Sequence, residues 1–159
     1  MIREAILSDF DAIAVLEEQV HNIHFAARPD IFLEKPFNGN NIKKRDCFEN
    51  WLQHDDKKIF VFEESGEILG YCETVVWDYE DDRVFKDVII LFIYSMCVDE
   101  KARGKHIGQR LFEAAKAHAK KIGAVRLQLD VADFNENAKK FYDHLGMSTR
   151  STCMELEIK

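Results

Sequence analysis

The sequence of 159 residues is poor in proline and glycine and has no long apolar run. Two prolines and seven glycines exclude a collagen-like or low-complexity chain. The longest apolar stretch, Val88 to Val98, is broken only by Ser95 and is too short to cross a bilayer. The first ten residues carry Arg3, Glu4 and Asp9 and no apolar segment typical of a signal peptide. We therefore expect one globular domain over residues 1–159, located in the cytoplasm and not in a membrane.

The four cysteines form no closely spaced pair that would indicate a zinc site or a disulfide framework. A chain of this length buries enough surface to fold without a metal or a disulfide bond. We expect free thiols in a reducing compartment and no bound metal. The four residues are Cys47, Cys72, Cys97 and Cys153.

Charge is unevenly distributed along the chain. The net charge is −7, which argues against a protein that coats nucleic acid. The segment from Lys101 to Arg126 nevertheless contains eight basic residues and one acid, a local net of +7, so the remaining residues sum to −14. This contrast favours a local anion-binding site in an otherwise acidic protein. A solvated helix face is the alternative interpretation of the basic segment.

The order of predicted elements is β-α-α-β-β-β-α-β-α-β, with a further strand possible at the end. Apolar residues at helical spacing predict a first helix from about Asp9 to Phe25, begun by a capping box at Ser8 and Asp11. Proline and glycine between Pro29 and Gly39 predict a loop. The other predicted elements are a helix around residues 42–52, strands at 2–6, 58–63, 68–77, 88–98, 125–131 and 152–158, and helices around 107–122 and 138–145.

The segment from Met96 to Leu111 has the composition of a phosphate-binding loop. A buried strand runs into a loop with two glycines and three basic residues, and a helix follows directly. The first turn of a helix offers unpaired backbone N–H groups and the positive end of the helix dipole. Neither the P-loop pattern nor GxGxxG is present, and no metal-binding aspartate follows, so a nucleotide-binding protein is the less favoured interpretation.

Two motifs identify a family. Residues Arg103 to Gly108 read RGKHIG, which fits Q/R-x-x-G-x-G/A except for His106, where the pattern has glycine. Residues Asn135 to Met147 read NENAKKFYDHLGM and match N-x-x-A-x-x-F-Y-x-x-x-G-F up to the last position. With these motifs in this order, and with the same order of elements over nearly the whole chain, the sequence resembles the GNAT superfamily of N-acetyltransferases.

The resemblance implies a single α/β domain, in which a mixed, mostly antiparallel sheet of six to seven strands is splayed in the middle and flanked by about four helices. It implies acetyl-CoA as co-substrate, its pantetheine arm bound by main-chain groups of the central strand and by Asn135. Tyr142 would be the general acid that protonates the departing thiolate. The residues implied in binding on the central strand and the loop are Met96, Cys97, Val98, Arg103, Gly104, Lys105, His106, Ile107 and Gly108.

Several of these residues also have purely structural interpretations. Tyr142 lies on the apolar stripe of its helix and fits a core position. Asn135 fits the cap of the helix that begins at Glu136, a role compatible with binding. Cys97 invites an acyl-cysteine mechanism, but a cysteine in a buried strand is more often inert packing.

The general base is the catalytic role for which the family resemblance gives the weakest indication. The strand from Val88 to Val98 contains no carboxylate, so we assign the base to Glu73 on the neighbouring predicted strand. Apolar surroundings would raise the pKa of this carboxyl and suit it to proton transfer. An outward-facing, solvated Glu73 is the alternative. His21 and His24 lie three residues apart on a predicted helix, but no third metal ligand is evident.

The sequence thus predicts an N-acetyltransferase that transfers the acetyl group of acetyl-CoA to a primary amine by direct attack in a ternary complex. A non-catalytic acyl-CoA-binding or sensing module on the same fold is the alternative. The excess of acidic residues outside the basic segment, including those at 78–82, favours a small-molecule or peptide acceptor that is cationic before it reacts. We expect no nucleic-acid partner and, from the resemblance, a possible homodimer.

Overall fold

The computed structural model describes residues 1–35 and 41–158, so residues 36–39 of the predicted loop lie outside the described residues. Three-residue 3-10 turns lie at Leu7–Asp9 and Glu100–Ala102. No helix in the described ranges is both long and apolar enough to cross a membrane. The elements are β1 (Ile2–Glu4), α1 (Phe10–Ala27), α2 (Asn41–Gln53), β2 (Lys57–Glu64), β3 (Glu67–Asp78), β4 (Ile89–Val98), α3 (Ile107–Lys121), β5 (Arg126–Leu129) and α4 (Glu136–His144).

The five strands form one sheet in the order β1-β2-β3-β4-β5. All neighbours are antiparallel except β4 and β5, which are parallel. The mixed sheet and the four helices confirm the predicted class, but the prediction of six to seven strands is wrong for the described chain. The segment from Thr152 to Ile158 has the alternation of a strand but pairs with none, and an extended segment without a partner is not a stable strand.

The start of α1 differs from the prediction. Ser8 and Asp11 form no capping box; instead the buried carboxylate of Asp9 accepts the Ile6 N–H at 2.8 Å. The same carboxylate pairs with the Arg3 guanidinium at 2.6 Å, and this bond holds the pKa of Asp9 below its ordinary value. A residue of β1 therefore fixes the first turn of α1 against the sheet.

The sheet parts between β4 and β5. β4 pairs with β3 along its whole length, but with β5 only from Ile90 to Ile93. A bulge lies at the same point, because Glu73 is opposite Ser95 while Thr74 is opposite Ile93. Beyond the bulge residue Tyr94, no strand of the described residues lies beside the second edge of β4.

Two apolar cores cover the two faces of the sheet. On the face covered by α3, called here the α3 face, Leu111 and Phe112 pack on Phe62, Cys72 and other sheet residues. On the opposite face, the α1 face, Ile13, Leu16 and Phe48 pack on other sheet residues. Each fully buried apolar side chain contributes roughly 1.5–3 kcal/mol to the free energy of unfolding. The opening between β4 and β5 therefore lies between two separately packed layers.

Gly70 allows α3 to lie close to the sheet. A Cβ at this position would lie 2.9 Å from the Cys97 carbonyl oxygen and 3.1 Å from Leu111 Cδ1. Both contacts are shorter than normal packing allows, so only glycine fits without displacing the helix. The position of α3 determines where its N-terminus points, so Gly70 affects the geometry of the site described next.

Candidate active site

The loop before α3 presents a run of free backbone donors. The first helical bond is donated by the Arg110 N–H to the His106 carbonyl oxygen at 3.1 Å. Within the described chain, the backbone N–H groups of residues 104–109 donate no hydrogen bond. Such a group of donors at the start of a 15-residue helix is suited to an anion with several oxygens, such as a pyrophosphate.

Two residues of this loop have left-handed backbone conformations. Gly104 has φ +82° and His106 has φ +58°. Glycine adopts this region freely, whereas a residue with a Cβ is strained there by roughly 1 kcal/mol or more. The motif has glycine where this chain has His106, so the local conformation explains the glycine of the pattern without reference to a ligand.

We expect the free energy of unfolding of His106→Gly to exceed that of His106→Ala by about 1 kcal/mol, because only the alanine variant retains the left-handed strain. The glycine variant should therefore unfold at the higher denaturant concentration. Acetyl-CoA affinity should be similar in both variants, because the backbone donors remain. Denaturant titration and calorimetry on the same two preparations measure both quantities. Equal stabilities would contradict a strained His106.

The charged residues and the glycines of the loop have separate roles. Arg103 and Lys105 are exposed, and the Arg103 guanidinium lies 3.6 Å from Glu100 and 3.5 Å from the Val98 carbonyl oxygen. A Cβ on Gly108 would lie 3.1 Å from the Phe141 ring of α4. Gly108 is therefore required by the contact between α3 and α4, whereas Gly104 is required by the turn.

The open edge of β4 exposes alternate main-chain groups. The Asp99 N–H donates to the Leu69 carbonyl oxygen at 2.9 Å, and Cys97 is opposite Tyr71 in the register with β3. Because main-chain groups alternate in direction along a strand, those of Cys97 face β3, while those of Met96 and Val98 face the open edge. The edge can therefore bind an extended ligand through Met96 and Val98.

The Cys97 thiol has none of the features of a nucleophile. Its side chain lies on the α1 face among apolar residues and is 7% exposed. Burial raises the pKa of this thiol to about 11, so it stays protonated at neutral pH. These properties favour the packing interpretation of Cys97 over an acyl-cysteine.

Asn135 is the N-cap of α4, and Tyr142 lies within α4, the helix that follows β5 in the chain. The Asn135 side-chain oxygen accepts the Ala138 N–H at 3.1 Å and caps the helix, as its structural interpretation predicts. Tyr142 packs on the α3 face beside Phe112, with ring centroids 6.3 Å apart. Burial raises the pKa of Tyr142 above its ordinary value, so the phenol remains a proton donor. Its hydroxyl has no hydrogen-bond partner among the described residues.

Glu73 is buried on the α1 face, so the interpretation of a solvated surface residue is wrong. The residue is 7% exposed, and its carboxyl makes no hydrogen bond within the described ranges. Burial, with the nearby charge of Glu17, raises the pKa of Glu73 to about 8. Tyr71 and Ser95 lie beside it, joined by a hydrogen bond of 2.7 Å. This face thus holds an unpaired carboxyl that can gain or lose a proton near neutral pH.

Three residues of this face were not predicted as site residues. Burial raises the pKa of Glu17 on α1, and its charge acts on Glu73. The bulge residue Tyr94 packs on Trp51 of α2, with ring centroids 5.1 Å apart. The sequence held one signal for Glu17, since it lies at helical spacing between Ile13 and Val20 on the apolar stripe of α1.

The predicted catalytic pair is not brought into contact. Tyr142 lies on the α3 face and Glu73 on the α1 face, with the sheet between them. His21 and His24 pack on aromatic rings, including Phe32, and the described residues contain no group of three or more metal-binding side chains.

Comparison with known proteins identifies the family. Residues 17–147 match the acetyltransferase (GNAT) family. The N-acetyltransferase YhfO of Bacillus subtilis (strain 168) is 30% identical over 148 residues, which span 91% of this chain and 87% of that protein. The crystal structure of a tetramutant of the BH1408 protein from Bacillus halodurans is 33% identical, with a TM-score of 0.91 over 99% of both chains. The aminoglycoside N-acetyltransferase AAC(6')-Iy, solved with CoA, has a TM-score of 0.74 at 14% identity over 100% of this chain and 99% of that one, a likeness of fold alone. This chain therefore belongs to the GNAT family of acetyltransferases.

Proposed function

We propose that the protein is an N-acetyltransferase that transfers the acetyl group of acetyl-CoA to a primary amine in a ternary complex. The run of unpaired backbone N–H groups at residues 104–109, next to the open edge of β4, is the observation that carries the proposal. Acetyl-CoA has a pyrophosphate and an amide-containing arm, which match these two sets of main-chain groups. Neither match requires a metal ion.

The co-substrate is held mainly by main-chain groups of the chain. The loop amides bind the pyrophosphate, and the exposed Arg103 and Lys105 add positive charge beside it. Met96 and Val98 bond the pantetheine arm along the edge of β4, and the side-chain NH₂ of Asn135, which donates no hydrogen bond among the described residues, is available to the same arm. Fixing the thioester in this way contributes to the rate by orientation.

In the proposed reaction, one proton is accepted on the α1 face of the sheet and another is donated from the α3 face. An ammonium acceptor first gives one proton to solvent; the neutral amine nitrogen then attacks the thioester carbonyl carbon and passes a second proton to the Glu73 carboxylate, directly or through water. The Val98 N–H donates to the oxyanion that forms on the carbonyl oxygen. The carbon–sulfur bond then breaks, and the leaving thiolate takes the proton of the Tyr142 hydroxyl. Acetylated amine and CoA thiol are the products.

The acceptor is proposed to be cationic before it reacts. Glu17 and Glu73 place two carboxyls on the α1 face, and an ammonium group would favour their ionised forms. The acidic loop after β3 gives weaker support for a cationic acceptor. Asp82 accepts the N–H groups of Val84 and Phe85 at 2.7 and 2.8 Å, so its carboxylate holds the loop conformation. We therefore assign acceptor recognition to Glu17 and Glu73.

A non-catalytic acyl-CoA-binding module is the second candidate. β4 has no carboxylate, and Glu73 is largely protonated at pH 7 because its pKa is about 8. A protein that only senses acetyl-CoA would bind it equally well and would not release the thiol.

Two measurements on the wild-type protein test the proposal. Calorimetry should detect acetyl-CoA binding in the presence of EDTA, with affinity that falls as salt rises, because screening weakens the exposed basic side chains. A thiol reagent should then detect CoA release with di- and polyamines at pH 8. Binding that requires Mg²⁺ would contradict the co-substrate site, and binding without thiol release across the amine panel would favour the sensing module.

A further inference from the structure

Aromatic side chains continue along the α1 face of the sheet from Glu73. Side chains alternate between the two faces of a strand, so Val75 and Trp77 of β3 face the same side as Glu73. Phe92 of β4 is opposite Val75, and Trp77 stacks on Phe92 with ring centroids 4.2 Å apart. Trp77 is 37% exposed, and the bulge residue Tyr94 is 65% exposed. These three rings, called here the aromatic strip, run from the bulge in β4 toward the loop between β3 and β4.

The core of the α1 face ends before the aromatic strip. This core includes Ile59 and Tyr71, but within the described ranges it does not extend to Val75 or Trp77. Adjoining apolar side chains that remain exposed indicate a surface that binds a partner. Beside them lies Glu73, a buried carboxyl without a hydrogen-bond partner in the described chain. The two features together point to a ligand with a cationic group and an apolar body.

The loop between β3 and β4 extends the exposed apolar surface and is acidic. Phe85 packs on Tyr79 with ring centroids 4.7 Å apart and is still 47% exposed. Residues 78–87 contain five acids and two bases, a net charge of −3. The carboxylates of Glu80 and Asp81 are exposed and form no hydrogen bond or ion pair within the described chain. The loop therefore offers apolar contact and unpaired negative charge to a basic partner.

The length of this surface favours a polypeptide over a small amine. β4 extends from Ser95, which is opposite Glu73, back to Ile89 beside the loop, a length of roughly 20 Å at about 3.3 Å per residue. A small amine held at Glu73 would cover only the near end of this length. An extended peptide of about six residues would cover all of it.

A lysine side chain is suited to the depth of Glu73. The carboxyl is buried, so an amine that approaches it must extend below the surface on which a peptide main chain lies. Lysine carries its ammonium group on a flexible four-carbon stem, which allows this reach. The apolar stem can pack on neighbouring rings while the charged group approaches the carboxyl.

We propose that the acceptor is a lysine side chain in a basic, extended segment of polypeptide that lies along the aromatic strip toward the β3–β4 loop. Apolar residues of that segment pack on Trp77 and Phe85. Its other basic residues face Glu80 and Asp81. The lysine nitrogen forms the new amide bond as the carbon–sulfur bond of acetyl-CoA breaks; its two protons pass to solvent and to Glu73, and CoA leaves as the thiol by the step described above. The inference rests on the proposed acetyl transfer and names its acceptor.

Substrate preference is the first test. One blocked peptide carries a single lysine flanked on each side by alternating leucine and arginine, and a second has glutamate in place of arginine. Butylamine presents the same four-carbon amine without a peptide. With saturating acetyl-CoA, kcat/KM for thiol release should be at least about 10-fold higher for the basic peptide than for the other two, because complementary charge raises the encounter rate on this scale.

Substitution in the loop is the second test. The double variant Val84→Ser, Phe85→Ser removes two apolar side chains and keeps the main-chain bonds to Asp82. It should lower the ratio of kcat/KM for the basic peptide to that for butylamine about 10-fold, mainly through KM. The matched control Val15→Ser makes the same change at an exposed position of α1 and should keep the ratio. Circular dichroism and acetyl-CoA calorimetry establish that each variant is folded.

The outcomes separate this inference from the proposed function. Thiol release with butylamine that is no faster with the basic peptide, or a ratio unchanged in the double variant, would overturn the lysine acceptor and leave acetyl transfer standing. Absence of thiol release with all three amines would overturn both. A change in the mass of the double variant by light scattering would show that the loop is a contact between copies of the chain, and would overturn the peptide surface.

Discussion

Replacing Tyr142 by phenylalanine should lower turnover roughly 10- to 1000-fold and leave acetyl-CoA affinity nearly unchanged. The ring keeps its packing against Phe112, while the proton that the leaving thiolate needs is lost. The hydroxyl has no partner among the described residues, so its removal should not lower the free energy of unfolding. Steady-state kinetics and calorimetry on the same preparation measure the two effects.

Tyr79→Phe provides the matched control, since Tyr79 lies in the loop after β3 and packs on Phe85. It makes the same chemical change away from the opening and should keep full turnover. If Tyr142→Phe were as active as this control, Tyr142 would be a core residue without a catalytic role.

Replacing Glu73 by glutamine should lower activity and raise stability at the same time. The carboxyl is buried without a hydrogen-bond partner in the described chain, and its pKa is raised to about 8. Glutamine is neutral and similar in shape, so it avoids the cost of ionising a buried group. It cannot accept the proton of the attacking amine, so we expect kcat/KM to fall about 100-fold or more.

The effect on stability should depend on pH in a definite direction. The pKa of Glu73 is about 8 in the folded protein and about 4.5 when unfolded, so the folded state holds its proton more tightly. The contribution of protonated Glu73 to the stability of the folded protein is complete below about pH 4.5 and is lost as pH rises through about 8. The free energy of unfolding falls over this range by an amount on the order of a few kcal/mol. Glu73→Gln removes this loss, so its advantage over the wild type should grow from pH 5 to pH 8.

The pH dependence of kcat/KM should show the same ionisation of Glu73. The ratio of wild-type to Glu73→Gln kcat/KM should rise with pH and level off above about 8, and taking the ratio removes the titration of the amine itself. Glu18→Gln, an exposed neighbour of Glu17 on α1, is the control for loss of one negative charge. A ratio independent of pH would show that Glu73 is not the base, whatever its effect on stability.

Most of the fold was predictable because local patterns and the packing of the chain agree. Period-3.6 and period-2 patterns predicted the four helices and five strands with small shifts at their ends, and Gly123, which follows the end of α3, is the kind of residue that ends a helix. It has φ +75° there, and the Ala124 N–H donates to the Ala119 carbonyl oxygen at 2.9 Å. Such features depend on residues a few positions apart, which the sequence displays directly.

The remaining features depend on contacts between distant residues. Alternation at residues 152–158 predicted a strand, but a strand also requires a partner edge, which the sequence does not specify. Burial of Glu73 depends on α1 covering its face, and the requirement for Gly70 depends on where α3 crosses the sheet. The roles of Glu73, Tyr142 and the loop residues stay predictions, because they concern a bound state.

The division of the molecule into an α3 face and an α1 face has a consequence for how such an enzyme can change over evolutionary time. Residues proposed to act on the co-substrate, namely Met96, Val98 and Tyr142, pack in one layer, and those proposed to meet the amine, Glu17 and Glu73, lie in the other. Substitutions in separate layers that share no partners tend to act additively. If Glu17 meets the amine as proposed, substitution at Glu17 should alter the choice of amine while the α3 face keeps its packing, which makes the α1 face the first target for directed evolution toward new acceptors.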